Sequence, residues 1–193
     1  MKQLKFIKAL LLIFLMLSTA CSKDAPEPDE PYTGNGYIRG NFGSEYLTFK
    51  EPQITGDGDS SSHYYNPNIN GGLLLLTRVG LYSDRRSVSL IINGIDLDNL
   101  PLPIVISPSQ ALENRMYGAV MLYDYTIPDS VVRWGPEDSY NFEGTTQKDI
   151  TINITSKTDD IIKGTFEGKI RSRTGLEKAV TGGEFRIKII RKE

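Results

Sequence analysis

From Gly36 onward the chain alternates short apolar runs with glycine, asparagine, aspartate and proline, and it shows almost no helical periodicity. Runs rich in Val, Ile, Thr, Tyr and Phe between such breaks are typical of β-strands. Val88, Leu90 and Ile92 have the period-2 spacing of a strand with one buried face. The one candidate helix is a stretch of barely two turns from Ser107 to Asn114.

Two hairpins and one covered strand are predicted in the first part of this region. The first hairpin turns at Gly43-Ser44, and the second turns at 83–86. The run at 116–126 is apolar on both faces, which suits a central or covered strand. The paired runs of the two hairpins are 36–42 with 45–49 and 72–82 with 87–94.

The C-terminal part of the chain predicts a three-strand antiparallel meander. Apolar and polar residues alternate over 150–154 and again over 162–170. In the last run the parity of the apolar positions changes between Val180 and Phe185. Because a one-residue slip reverses every side chain, we predict a bulge at Gly182-Gly183.

The pattern as a whole indicates an all-β fold. Gly164 and Gly168 fall on the predicted core face of the middle strand, which indicates close approach of another strand or strong coiling. We expect an antiparallel β-sandwich or a closed β-barrel of about eight to ten strands that ends in the meander. The pattern leaves the choice between sandwich and barrel open.

The closing segments "KGTFEGKI" (163–170) and "GLEKAVTGGEFRIKI" (175–189) carry an I-x-G-T-F pattern followed by V-T-x-G-x-F. This ending resembles that of uncharacterised Bacteroidota lipoproteins in domain-of-unknown-function families. The resemblance implies a small all-β domain on a lipid anchor. Its motifs are strand and turn patterns, so it implies no catalytic residue.

The N-terminus has the order of a secretory signal peptide. Lys2, Lys5 and Lys8 precede the apolar run "ALLLIFLML", and small residues follow it. The apolar run is shorter than the ~20 residues that a membrane-spanning helix needs. We therefore predict that residues 1–20 are a signal peptide rather than a transmembrane anchor.

The sequence "STAC" resembles a bacterial lipobox, in which the signal is cut before a cysteine that carries lipid. Ala20 before Cys21 fits this pattern, whereas Ser18 stands where leucine is usual. The alternative is an ordinary signal peptide and a mature protein with one unmodified thiol. We favour lipid attachment at Cys21, because an unmodified thiol at the end of an exported chain has no evident use, whereas a lipid attachment site must lie there. Stable anchoring by acyl chains such as palmitate takes more than one chain, and the two or three chains of a mature lipoprotein satisfy this requirement.

Residues 21–35 are predicted to be the lipidated cysteine and a disordered tether rich in proline and acid. At about 3.1 Å per residue the tether could hold the domain, residues 36–193, ~40 Å from a membrane. "CSKD" with the acids after it resembles the surface-export signal of Bacteroidota lipoproteins. We expect the outer membrane as the location and favour its outer surface, with the periplasmic face as the alternative.

Charge and cysteine content exclude several functions. Cys21 is the only cysteine, so its lipidation leaves none for disulfides, thiol catalysis or metal binding. Loss of three signal-peptide lysines leaves 19 basic and 24 acidic residues. An acidic mature chain argues against nucleic acid as a partner.

Residues that could support catalysis or bind a metal are few. His63 is the only histidine, and its polar neighbours predict a solvated loop position. Asp57 and Asp59 begin like a calcium loop but lack its later glycine and glutamate. We predict no metal and no cofactor. A carboxylate pair for glycoside hydrolysis is compatible with any sequence this rich in acid.

Aromatic residues supply the candidate ligand contacts, since tyrosine and tryptophan can stack on sugars or anchor a protein interface. Trp134, Tyr64 and Tyr65 are the candidates, whereas Tyr123 and Tyr125 share a strand face with a methionine and are expected in the core. We expect a non-enzymatic lipoprotein whose β-domain binds a glycan or an envelope protein. The alternatives are a small hydrolase that uses an acid pair and a barrel that carries an apolar ligand.

Overall fold

The computed structural model of the protein describes residues 36–50, 63–80, 85–108, 116–124 and 141–192. These residues form twelve β-strands and no helix. The strands are β1 (Gly36–Phe42), β2 (Glu45–Phe49), β3 (His63–Asn66), β4 (Leu73–Val79), β5 (Arg86–Asn93), β6 (Ile104–Ile106), β7 (Tyr117–Asp124), β8 (Asn141–Thr145), β9 (Ile150–Thr158), β10 (Ile161–Ser172), β11 (Glu177–Lys188) and β12 (Ile190–Arg191).

All twelve strands belong to one curled sheet, so the predicted all-β fold is confirmed. The main path runs β12-β3-β4-β5-β7-β8-β10-β11-β1-β2, and β9 and β6 branch from β10. Every pair is antiparallel except β12 with β3, which is parallel. Only Ile189 separates β12 from β11. Because β12 pairs with β3 at one end of the strand order, the C-terminal residues connect β11 to that end of the curled sheet.

The long strand β10 changes partner along its length. Residues 161–168 pair with β9, and residues 171–172 pair with β8. β10 therefore pairs with β9 along most of its length and with β8 at its end. Gly168 is the last residue of β10 that pairs with β9. A Cβ atom at Gly168 would collide with the backbone oxygen of Asp149, which explains the glycine on this face.

The predicted hairpins and the C-terminal meander are confirmed. β1 pairs with β2, β4 with β5, and β10 with both β9 and β11. The strands number twelve rather than eight to ten because short strands such as β3, β6 and β12 lack the long alternation on which the sequence prediction depended. The predicted helix at 107–114 falls mostly on residues outside those described.

The predicted bulge is also confirmed. Phe166 pairs with Gly183 and Gly168 pairs with Val180, so two residues of β11 stand opposite one of β10. Gly182 takes up the extra length with a positive φ of 59°. The bulge places Val180 and Phe185 on the same buried face although their sequence parity differs.

The core lies on the inner face of the curled sheet. It contains the alternating residues of β4, β5, β7, β9, β10 and β11, including Leu76, Leu90, Ile152 and Ile187. The expectation that Tyr123 packs in the core is wrong, because Leu122 takes the buried position and Tyr123 lies half-buried on the opposite face.

Among the described residues, no helix has the length and apolarity needed to cross a membrane.

Substitution of Gly183 by alanine is expected to lower the free energy of unfolding by about 3 kcal/mol, because the new Cβ would collide with the backbone oxygen of Phe166. Urea denaturation of the two proteins measures this loss. Gly175→Ala is the control, since a Cβ there meets nothing within 4 Å and only its positive φ of 86° opposes alanine. We expect a loss of about 1 kcal/mol for the control. Equal losses in both variants would contradict the collision at the bulge.

Candidate functional site

The structure describes only some of the residues for which the sequence predicts a lipid, ligand or metal contact. Cys21 and Trp134 lie outside the described residues, as do Asp57 and Asp59. Tyr64 and Tyr65 are both in β3. The structure therefore describes two of the three aromatic candidates.

Neighbouring positions in a strand face opposite sides of the sheet, and β3 separates its two tyrosines in this way. Tyr65 is 1% exposed and belongs to the core, where its hydroxyl accepts a hydrogen bond from the backbone N–H of Leu97 at 3.3 Å. Tyr64 is half-buried on the other face, with Lys192 Nζ 4.3 Å from its ring centroid. Of this pair, Tyr64 alone presents ring surface to solvent.

The prediction of a solvated loop position for His63 is wrong. His63 opens β3, lies opposite Leu76 of β4 and is 6% exposed. Burial, together with the charge of Arg78, lowers the pKa of His63 to about 4. The imidazole is therefore neutral at pH 7, and it forms part of the inner face of the sheet rather than a surface loop.

Charged side chains continue along this end of the inner face. Arg78 is fully buried, and its Nη1 donates to the backbone oxygen of Thr77 at 2.7 Å. Buried Asp124 contacts Lys178 Nζ at 3.3 Å. Arg86 donates to the carboxylate of Glu45. The side chain of Asp124 is 4% exposed and that of Glu45 is 57% exposed, so the acid is buried in the first ion pair and exposed in the second.

A general acid needs a raised pKa, whereas three of the described carboxylates have a lowered one. A hydrogen bond from Asn99 lowers the pKa of Asp96, and a hydrogen bond from Arg191 lowers the pKa of Asp98. A hydrogen bond from Arg171 likewise lowers the pKa of Glu177. Within the described ranges, no group of three His, Cys, Asp or Glu residues could hold a metal ion.

A different set of polar and aromatic side chains lies on the opposite side of the sheet, across β2, β1, β11 and β10. We call this surface the outer face. Strand register fixes its members in rows, because cross-strand partners point to the same side. Its main side chains are Tyr37, Arg39, Tyr46, Lys163, Glu184 and Arg186.

Two rows of the outer face are defined by Arg39 and Arg186. Arg39 lies opposite both Thr48 of β2 and Glu184 of β11. Arg186 lies opposite both Tyr37 of β1 and Lys163 of β10. Adjacent rows are two residues apart, which is about 7 Å along a strand.

Arg39 is fixed on this face by two neighbours. Its Nε donates to Glu184 Oε2 at 3.0 Å, and its Nη2 lies 2.9 Å from the same oxygen. Its guanidinium carbon lies 4.6 Å from the centroid of the Tyr37 ring. Tyr46 projects from β2 in the next row, and it is 58% exposed. The outer face thus combines an exposed ring with hydrogen-bonding groups whose positions are already set.

No family model, curated protein or solved structure matches this chain. The resemblance of its closing strands to Bacteroidota lipoproteins therefore stays a prediction.

The outer face was not predicted from the sequence. The signal was present in "GYIRGNF", where Tyr37, Arg39 and Asn41 alternate with the buried residues of β1. The partners of Arg39 and Tyr37 lie in β11, and Glu184 is 145 positions away from Arg39 along the chain. A pattern within one strand cannot indicate such a distant partner.

His63→Gln is expected to weaken the dependence of stability on pH below 6.5. In the wild type the unfolded chain binds a proton near pH 6.5, whereas folded His63 binds it only near pH 4. The free energy of unfolding should therefore fall as the pH falls from 6.5 to 4, by about 3 kcal/mol for this residue. Urea denaturation at several pH values measures the difference between the two proteins. Parallel curves for wild type and variant would contradict the buried neutral state of His63.

Proposed function

We propose that the protein is a cell-envelope lipoprotein, anchored to the outer membrane through lipid on Cys21, with a β-domain that binds a glycan and catalyses no reaction. The signal peptide and the lipobox-like "STAC" support the anchor. The acidic tether after Cys21 supports exposure at the outer surface, with the periplasmic face as the alternative. In this arrangement the tether gives the domain access to ligands beyond the membrane surface.

The outer face is the observation that carries the glycan-binding proposal. An exposed tyrosine offers a flat apolar surface with a polar tip, which suits the apolar faces and hydroxyl groups of sugar rings. Arg39 and Glu184 stand one row away, and their mutual ion pair holds both in place. Groups that are ordered before binding lose less conformational entropy when a ligand arrives.

The other functions considered have less support. A carboxylate-dependent hydrolase needs an acid with a raised pKa, whereas the pKa values of Asp96, Asp98 and Glu177 are lowered. A carrier of apolar ligands needs space inside the sheet. Among the described residues, side chains of the inner face pack against each other, such as Phe42 in contact with Phe49 and Phe166 at centroid distances of 6.1 Å.

Metabolic labelling with a fatty-acid probe tests the anchor in a bacterial host that processes lipoproteins. The wild-type protein should take up the label and sediment with membranes. Cys21→Ala should lose the label, because the acyl chains require the cysteine sulfur. Equal labelling of both proteins would contradict the proposed lipid attachment.

Tyr46→Ala tests glycan binding by the outer face. We expect about a tenfold loss of affinity for any polysaccharide that the full-length protein binds in detergent, which corresponds to about 1.4 kcal/mol. Affinity electrophoresis in gels that contain the polysaccharide measures this loss. Ile69→Ala, at another exposed apolar position, is the control and should retain wild-type affinity. If Tyr46→Ala also retains it, the outer face is not the binding surface.

A further inference from the structure

A continuous row of side chains crosses six strands on the outer side of the sheet. Cross-strand partners follow one another from β6 through β9, β10, β11 and β1 to β2, so the row extends the outer face past β10. Neighbouring strands lie about 4.8 Å apart, and the row therefore covers about 24 Å along the curled sheet. We call it the transverse row, and its members are Val105, Asn153, Thr165, Glu184, Arg39 and Thr48.

The two charged members of the transverse row neutralise each other. Arg39 Nε donates to Glu184 Oε2 at 3.0 Å, and Arg39 Nη2 lies 2.9 Å from the same oxygen. Both contacts use Oε2, so neither occupies Oε1, and the Glu184 side chain is 45% exposed. The pair thus offers hydrogen-bonding groups to a ligand without offering a net charge.

The remaining polar members of the row are uncharged. Thr48 and Thr165 are exposed, and a threonine hydroxyl can both donate and accept a hydrogen bond. In the next row, about 7 Å away along the strands, Tyr46, Asn41 and Thr181 are partners across β2, β1 and β11. Hydroxyl and amide groups of this kind complement the hydroxyl groups of a sugar.

The side chain of Asn153 has an unused acceptor in the middle of this surface. Within the described part of the chain, its Oδ1 is enclosed and has no hydrogen-bond partner. Such acceptors are costly and rare in folded proteins. The residue as a whole is partly exposed between Val105 of β6 and Thr165 of β10, and its terminal torsion is a soft one. Rotation of the amide therefore lets this oxygen accept a hydrogen bond from a hydroxyl group of a ligand at the surface.

Apolar surface lies at both ends of the transverse row. Val105 is 38% exposed at the β6 end, and Tyr46 is exposed beside Thr48 at the β2 end. Tyrosine rings and apolar side chains can pack against the C–H groups of a sugar ring. A linear chain of several sugar units would thus meet apolar contacts at its ends and hydrogen-bonding groups between them.

We propose that the outer face binds an uncharged polysaccharide whose chain runs across the strands along the transverse row. Thr165 and Asn153 form hydrogen bonds with its hydroxyl groups, and Tyr46 packs against a sugar ring at the β2 end. The Glu184 carboxylate repels the carboxylate or sulfate groups of acidic polymers. This inference rests on the proposed glycan-binding function and adds the chemical class of the ligand and two residues that contact it.

A panel of neutral and acidic polysaccharides tests the ligand class with the full-length protein in detergent. The neutral polymers are dextran, galactan and mannan, and the acidic ones are polygalacturonate, alginate and dextran sulfate. Affinity electrophoresis against a nonbinding reference protein should give the tightest binding with a neutral polymer, by about tenfold over every acidic one. That affinity should change less than about twofold between about 50 and about 200 mM salt. An acidic polymer as the tightest ligand overturns the inference.

Two threonine-to-valine variants test the path of the chain across β10. Thr165→Val keeps the branched shape of the side chain and removes the hydroxyl, so it should reduce affinity for the tightest neutral polymer about fivefold. Thr158→Val makes the same change at an exposed position at the end of β9 and should retain wild-type affinity. Equal affinities of these two variants overturn the inference.

Asn153→Leu tests the unused acceptor, since leucine has a similar size and no polar atoms. We expect about a fivefold loss of affinity with the melting temperature unchanged or raised, because the free protein gives Oδ1 no hydrogen bond to lose. A variant that retains wild-type affinity contradicts the role of Asn153. Thermal unfolding verifies that each variant folds, and Thr165→Ser, which keeps a hydroxyl, should retain most of the affinity.

The failure of this inference and the failure of the proposed function are distinguishable. Binding of an acidic polymer that depends on Tyr46 overturns the uncharged ligand and supports glycan binding. Binding of a neutral polymer that depends on Tyr46, but on neither Thr165 nor Asn153, overturns the transverse path and also supports glycan binding. The absence of binding to every polysaccharide tested overturns both. In that case a dimer of Cys21→Ala protein that Thr165→Val dissociates, measured by sedimentation equilibrium, would replace the polysaccharide with a second copy of the chain.

Discussion

The pairing of β10 with β11 is the constraint on which the rest of the structure depends. Both strands are twelve residues long, and together they contact β8, β9 and β1. Their ladder contains one bulge, and a side chain at Gly183 would collide with the Phe166 backbone. Without the bulge, one half of β11 would turn its apolar residues to solvent.

The same bulge also determines the outer face. On one side of it β11 presents Glu177, Ala179 and Thr181, and on the other it presents Glu184, Arg186 and Lys188. Core packing and the arrangement of surface charge thus follow from a single register. β10 and β11 keep these two roles apart, because their inner sides are mostly apolar and their outer sides are mostly polar.

Features that depend on alternation within one strand could be predicted from the sequence. The meander and the bulge follow from local parity at positions such as Val180 and Phe185. Features set by distant partners could not be predicted. His63 was predicted to be solvated because its neighbours in the sequence are polar, yet pairing with the apolar strand β4 buries it. Arg39 contacts Glu184 only because β1 pairs with β11, a strand far away from it in the sequence.

The inner side of β10 and β11 fixes their register even where two basic residues, Lys163 and Arg186, lie opposite each other on the outer side. Ile162 and Ile187 are cross-strand partners directly beside Lys163 and Arg186, and both are fully buried. Burial of one such side chain contributes about 1.5–3 kcal/mol, whereas a like-charge pair in a sheet costs about 0.2–1 kcal/mol. The core therefore fixes the register whatever the outer residues are.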